Sequence, residues 1–580
     1  VNAADAAPRH RREATVRALA TGAAIGLLLA AANVYTVIKV GVIDGGAITA
    51  ALLAFGVFAV LGRRARTPFG ALECNITQTA ASSAAVMSMV TGVSGQVPAL
   101  AMMGTRLSSA AVVAFGAGVG VLGVFVAALL RRRLVIEEAL PFPTGAATGE
   151  VIETIFGARH LALRRVRLLL VAAAIAGAIT WFRDGRPAII PQGFMLGGTI
   201  GGVAAATLGI GVGASPLMLA TGAMVGVRNA AGMLLGAASA RIVLAPWLLR
   251  NGVVPDAQFG SLNSWLIWPS LGLLLSGSFL PLLLDGGAIV RSFRQLASLG
   301  GARNATQRAG GTESSARHAV PLVLASAAVV IVCGWLAFDA EPIAIVAGLA
   351  LALVLANVAA RATGETDFSP AGPVGSVGLM ALASRGTATG MMAGGTLSAG
   401  VTAQVSQTLW AFRAGHGLGA SWRAQIGAQL LGVLVGAAVT VPAYLVIASS
   451  YGLGTERMPA VAAMSFKATA EAMRGLAALP RWGGAAVLIG LAVGATLTLL
   501  GRGRRAWLVP SAASIGVGFM LPFSLVVVAL AGAALGVVAR KRFGPRGFDQ
   551  ASLLAVAAGG IAGESIVGVS TAILIAAGLL

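Results

Sequence analysis

The sequence predicts an all-α polytopic membrane protein. At ~20 residues per span, its length accommodates about 16 transmembrane helices, in two related halves with broken or re-entrant segments. Three observations predict this. Hydrophobic residues fill 57% of the 580 positions and charged residues only 11%, against about a quarter charged in soluble proteins. Long apolar runs recur from end to end, and mean hydropathy is +0.88. Polar, helix-breaking motifs interrupt those runs at matching places in the two halves.

The net charge of +21 is not read as a nucleic-acid footprint, because the arginines form clusters between apolar runs and no single stripe. Arg63-Arg64-Ala-Arg66, Arg131–Arg133, Arg164-Arg165-Val-Arg167, Arg502-Gly-Arg504-Arg505 and Arg540-Lys541-Arg542 mark cytoplasmic loops under the positive-inside rule. They also suit anionic lipid headgroups. Glycine, at 79 positions, lets spanning helices approach closely.

Taken in order, a basic tail, residues 1–14, precedes an N-terminal transmembrane half, 15–299. Its first spans read at 15–38, 44–62, 71–94 and 106–130. Four spans return the chain to the side of the tail, which places Arg131–Arg133 in the cytoplasm. Residues 134–157 are expected to form a re-entrant hairpin, because Pro141, Pro143 and Gly145 break the backbone. Lipid cannot hydrogen-bond a broken backbone, so such a break must be buried in protein or line a wet cavity. Apolar runs follow at 166–182, 190–212, 214–249 and 262–284.

A polar linker, 300–318, divides the chain, and a C-terminal transmembrane half covers 319–580. Its runs lie at 319–338, 342–361, 374–400, 402–413, 424–450, 483–500, 506–540 and 551–580. Two internal similarities support duplication. Leu140-Pro-Phe…Thr148-Gly-Glu150-Val matches Met458-Pro-Ala…Thr469-Ala-Glu471-Ala, and Gly222–Asn229 matches Ser514–Leu521. Broken segments at corresponding positions of two halves point to a transporter's site.

Several polar groups inside apolar runs are candidates. Glu150 and Glu153 share a helix face after the proline break. A helix starting near Thr144 or Thr148 aims its positive end at a cavity, where it attracts an anionic group. Glu137 and Glu138 follow three arginines and read as surface ion-pair partners. Asn75 and Gln78, one turn apart in Leu72-Glu-Cys-Asn-Ile-Thr-Gln-Thr79, serve either as interhelical glue or as a site. Gln404 and Gln407 repeat that spacing. Lys467, Glu471 and Arg474 form an ion-pair ladder. Glu564, in the last run, is a lone buried carboxylate that must stay protonated or find a partner. No Walker A, H-E-x-x-H or G-x-S-x-G motif occurs, and the two cysteines and four histidines have no metal-ligand spacing. No enzyme activity, metal site or cofactor is therefore expected.

These motifs together resemble the oligopeptide transporter (OPT) superfamily, which includes the yellow stripe-like metal-chelate carriers. The resemblance runs through Ala31–Tyr35, Leu72–Thr79, Phe142–Val151, Thr363–Pro370 and Ala414–Gln429, and ends at Ala562–Ser565. It implies about 16 helices, two related halves and secondary active uptake, usually proton-coupled. The segment before Ala414 departs from the family. Gln404-Val-Ser-Gln407 and Trp410–Arg413 lack two acidic positions that members commonly carry there.

The expectation is an importer in the bacterial inner membrane for small oligopeptides or peptide-like solutes, driven by protons. Asn75, Gln78, Glu150, Gln404 and Gln407 bind substrate in this reading, and Glu150, Glu153 and Glu564 couple it to protons or another ion. The partners are a small-molecule substrate, protons and membrane lipid, with homo-oligomerisation left open. A metal-chelate or siderophore carrier is the alternative within the class. A passive channel or a membrane-embedded enzyme is the alternative outside it.

Overall fold

Apolar runs rich in alanine and leucine form helices along nearly the whole chain. The computed structural model describes residues 13–41, 45–61, 69–157, 159–284, 314–367, 369–383, 387–473, 479–502 and 509–580. Helices α1 (Val16–Val40), α2 (Ala47–Leu61), α3 (Ala71–Ala85), α4 (Met87–Val90), α5 (Gln96–Met102) and α6 (Ser109–Arg131) come first. A π-helical turn, Arg132–Glu137, leads through the proline break to α7 (Pro143–Gly157) and α8 (Arg159–Asp184). Strands β1 (Gly193–Met195), β2 (Thr199–Ile200), β3 (Val203–Ala204) and β4 (Gly211–Gly213) precede α9 (Pro216–Ala238), α10 (Ala245–Arg250) and α11 (Phe259–Leu284).

The remainder comprises α12 (Ser314–Phe338), α13 (Pro342–Thr366), α14 (Ala371–Ala381), α15 (Ala388–Gly417), α16 (Trp422–Tyr451) and α17 (Val461–Met473). Last come α18 (Gly483–Leu500), α19 (Ala512–Met520), α20 (Phe523–Gly547) and α21 (Gln550–Ala576). Ten described helical stretches are long and apolar enough to cross a membrane, so the expected all-α polytopic class holds.

Two expectations about elements are corrected. The run at 190–212 is not a span. It folds into antiparallel hairpins, with Gly193 opposite Gly213 and Thr199 opposite Ala204. Gly198, Gly201, Gly202 and Gly209 adopt positive φ there, which a helix does not allow. The runs at 374–400 and 402–413 are also not two units. α14 stops at Ala381, and α15 continues unbroken for 30 residues. Its glycines serve close packing: a Cβ at Gly394 would lie 2.6 Å from Gly378 O, and one at Gly400 2.9 Å from Val90 O. Of the polar linker, residues 300–313 lie outside the described residues and 314–318 open α12. Arg63–Arg66, Arg504 and Arg505 also lie outside them.

The duplicated motifs occupy equivalent, reciprocal places. Before α7, the Phe142 N–H donates to Gly364 O (2.9 Å) at the end of α13. Before α17, the Ala460 N–H donates to Ile38 O (2.9 Å) at the end of α1. Phe142 and Ala460 both take left-handed φ, 41° and 50°, which is rare for non-glycine residues. Each Pro-containing turn thus docks on the opposite half. The packing follows the same exchange: α7 lies on α15 and α17 on α5, while α8 pairs with α21 and α18 with α11. This register places Glu471 opposite Glu153, not opposite Glu150, because α7 and α17 start at Pro143 and Val461.

Candidate functional site

On α3, the polar residues Asn75, Gln78, Thr79, Ser82 and Ser83 recur at steps of three and four, and all are fully buried. That spacing makes a single stripe on a helix. α15 supplies Gln404, Gln407 and Thr408, and α16 supplies Gln429, each at most 1% exposed. Close helix approach brings these groups together. A Cβ at Gly432 of α16 would lie 2.6 Å from Ser83 Cβ, and one at Gly123 of α6 would lie 2.6 Å from Gln404 Cβ.

The hydrogen bonds connect the three helices. Gln404 Nε2 donates to Ser83 Oγ (3.2 Å), Gln429 Oε1 (3.2 Å) and Thr408 Oγ1 (3.3 Å). Ser83 Oγ donates to Gln429 O at 2.9 Å. Gln78 Nε2 donates to Asn75 Oδ1 and Thr79 Oγ1, both at 3.1 Å. Gln407 turns toward the start of α2, its Oε1 lying 3.4 Å from where a Cβ at Gly45 would sit. Gln404 thus ties α15 to α3 and α16, Asn75 and Gln78 pair with each other farther along the same stripe of α3, and Gln407 lies toward the residues before α2.

Several buried atoms of these amides have no partner among the described residues: Asn75 Nδ2, Gln78 Oε1, Gln404 Oε1 and Gln429 Nε2. Leaving a buried polar group unpaired costs about 1–3 kcal/mol. The set contains both donors and acceptors, the complement that an amide group presents.

A second polar cluster is ionic. Glu564 on α21 accepts from Lys39 Nζ of α1 (2.7 Å), Arg183 Nη2 of α8 (3.1 Å) and the Leu217 N–H at the start of α9 (2.8 Å). Ser215 Oγ, 3.1 and 3.0 Å from the two carboxylate oxygens, completes the shell. Arg183 also pairs with Asp184 at 2.6 Å, and Lys39 Nζ donates to Tyr35 Oη at 3.1 Å. The side chains of Lys39, Arg183, Asp184 and Glu564 are all at most 7% exposed. Two cations and two anions make a neutral quartet at a helix N-terminus, an end that favours negative charge. Of the two courses open to this carboxylate, Glu564 takes the second and finds partners. Lys39, Arg183 and Asp184 were missed because each falls at the end of an apolar run, where a charge usually faces water.

Glu150 and Glu153 depart from expectation. Both are exposed on α7, whose buried face is Gly145, Thr148, Gly149, Ile152 and Ile155. A Cβ at Gly145 would lie 2.5 Å from Trp410 O, so the glycine face packs on α15 and turns the carboxylates outward. The N-terminus of α7 also differs from an open anion site. Asp367, just after α13, accepts from Thr144 N (2.8 Å), Thr144 Oγ1 (2.6 Å) and Trp410 Nε1 (2.9 Å). The chain's own carboxylate fills the place where a substrate carboxylate was expected.

The surface ion pairs do form. Arg132–Glu137 and Arg133–Glu138 close at 2.9 and 2.8 Å, and Arg361 joins Glu138 at 2.7 Å. Lys467 meets Glu471 at 3.8 Å, while Arg474 lies outside the described residues.

Similarity to known proteins agrees with this architecture. A protein of Haemophilus influenzae named "Putative oligopeptide transporter" is 25% identical, the alignment covering 94% of this chain and 92% of that protein. A Saccharomyces cerevisiae protein with the same description is 24% identical over 42% of this chain and 41% of its own length. The family model described as OPT oligopeptide transporter protein matches residues 13–575, and the chain accordingly belongs to the OPT oligopeptide transporter family.

Proposed function

We propose that this multi-pass membrane protein is a secondary active importer of small oligopeptides or peptide-like solutes in the bacterial inner membrane, coupled to protons. The observation that carries this reading is the amide stripe. Its unpaired donors and acceptors match a peptide unit, which offers one N–H and one C=O per residue. Asn75, Gln78 and Gln404 bind the backbone of the substrate, with Gln407 at the entrance to the core. Neutral amides of this kind select for hydrogen bonding over charge, which suits solutes of varied side chains.

Glu564 is the coupling group in this proposal. Of the three carboxylates considered for coupling, it alone is buried, and it bridges α1, α8, α9 and α21. Protonation would weaken its hold on Lys39 and Arg183 and on the start of α9, freeing one bundle to move against the other. Such movement around a fixed central site is how repeat-built transporters alternate access.

The test is uptake by proteoliposomes of a labelled peptide panel, against free and chelated metal, with and without an inward proton gradient. Peptides should accumulate uphill only with the gradient. Transport of chelates in place of peptides would instead favour the metal-chelate alternative, and flux without accumulation would favour a channel.

A further inference from the structure

A cleft of about 580 Å³ lies between α8, α9, α20 and α21. Apart from the Ser215 hydroxyl, its walls carry apolar side chains and small residues. Ile175 and Leu535 line it and are each 57% exposed, so it opens on the outer, membrane-facing surface. Along α20 it runs from Val528 to Ala539, about 16 Å at 1.5 Å per residue. That is about one leaflet of a hydrocarbon core ~30 Å thick. The inner end is formed by Gly213–Pro216, the turn that holds Ser215 against Glu564.

The other end is basic. Ala539 is followed by Arg540, Lys541 and Arg542, all exposed. Phe548, at the same end of the cleft, precedes Asp549, which pairs with Arg165 at 2.7 Å. Arg540 Nη1 donates to Gln550 Oε1 at 2.9 Å. Arg540 and Arg542, four residues after Gly536 and seven after Leu535, follow the cleft's own face of α20, since residues at those spacings share a helix face.

We propose that this cleft binds one anionic phospholipid, its acyl chain in the apolar channel and its phosphate against Arg540 and Arg542. Depth and charge select the occupant. A partner helix would cross both leaflets, whereas the cleft stops at Gly213–Pro216. A neutral lipid would leave the basic end unanswered. A bound chain would brace the turn carrying Ser215, so the site adds a lipid requirement to the transporter, and it stands independently of the substrate reading.

The experiment is lipid titration of the delipidated full-length protein by native mass spectrometry, with phosphatidylglycerol and phosphatidylcholine of identical chains. The wild type should prefer phosphatidylglycerol. The double variant Arg540→Gln/Arg542→Gln should lose that preference by roughly thirtyfold, the worth of two basic side chains at an anionic surface. Gly536→Phe, which fills the channel, should weaken both lipids. Equal binding of the two lipids by the wild type, or an unchanged preference in the double variant, would overturn the proposal. So would a folded Gly536→Phe variant that binds lipid normally.

Discussion

The amide stripe and the ionic quartet are both buried polar clusters, yet they are finished differently. Every carboxylate oxygen of Glu564 has a donor, from Lys39, Arg183, Ser215 or the Leu217 N–H. The amides of Asn75, Gln78, Gln404 and Gln429 each retain an unpaired atom. A closed network rigidifies what it joins, while a partly open one has capacity for something else. In the proposed function the quartet is a latch between helices and the stripe the place for the substrate.

Breaking the latch should produce the largest effect. Lys39→Met leaves Glu564 with less compensation and should cost about 3–5 kcal/mol of stability, measured by thermal unfolding in detergent. The double variant Lys39→Met/Glu564→Gln should recover part of that loss, because no uncompensated charge remains on that pair. If the double variant were no more stable than the single one, the two residues would not act as a unit.

Asp367 is an intermediate case, a carboxylate that caps a helix without a cation in its shell. Asp367→Ala removes the cap of α7 and should cost about 1–2 kcal/mol. Its effect should appear as faster hydrogen exchange at the start of α7, and unchanged exchange at Thr144–Ala146 would contradict the assigned role.

A smaller effect is expected at Asp549, outside the spans, where the side chain accepts from Ser552 N at 2.8 Å. Burial alone would raise its carboxyl pKa, but hydrogen bonds from Ser552 and Arg165, with the Arg165 charge, hold it below the ordinary value. A depressed pKa contributes stability above the unfolded value and loses it as pH falls through the folded one. Asp549→Ala should therefore cost about 1 kcal/mol at neutral pH, a difference that closes as pH drops below the usual carboxyl value of about 3.9. A gap that persisted well below that value would point to packing, not to the charge.

The smallest effect is expected from Glu150→Gln. The side chain is exposed, so uphill uptake should stay close to wild type. Loss of accumulation with exchange retained would return coupling to Glu150 and remove it from Glu564.

The helices, the proline break and the two matching turns were legible because apolar period, Pro and Gly act locally. The stripe was half legible. Asn75, Gln78, Gln404 and Gln407 stood out as amides in apolar runs, but Thr79, Ser82, Ser83 and Thr408 are common helix residues whose role depends on the facing helix. Gln429 sat in a family-like stretch without a visible partner. The quartet was not legible, since Lys39, Arg183 and Glu564 are separated by hundreds of residues and only tertiary packing joins them. The outward turn of Glu150 was readable in principle from the glycines at 145 and 149, which mark the packed face of α7.

The most direct test of the central claim is Gln78→Met in proteoliposomes, with labelled peptide accumulation measured beside thermal stability. Methionine keeps the volume and removes the unpaired buried carbonyl, but it also takes the donor from Asn75 Oδ1 and Thr79 Oγ1, so stability should fall by about 1–3 kcal/mol with the fold retained. Peptide accumulation should fall about tenfold or more, the worth of a hydrogen bond of about 1.4 kcal/mol to the substrate. Wild-type accumulation by a stably folded Gln78→Met protein would show that the amide stripe is interhelical packing and not the substrate site.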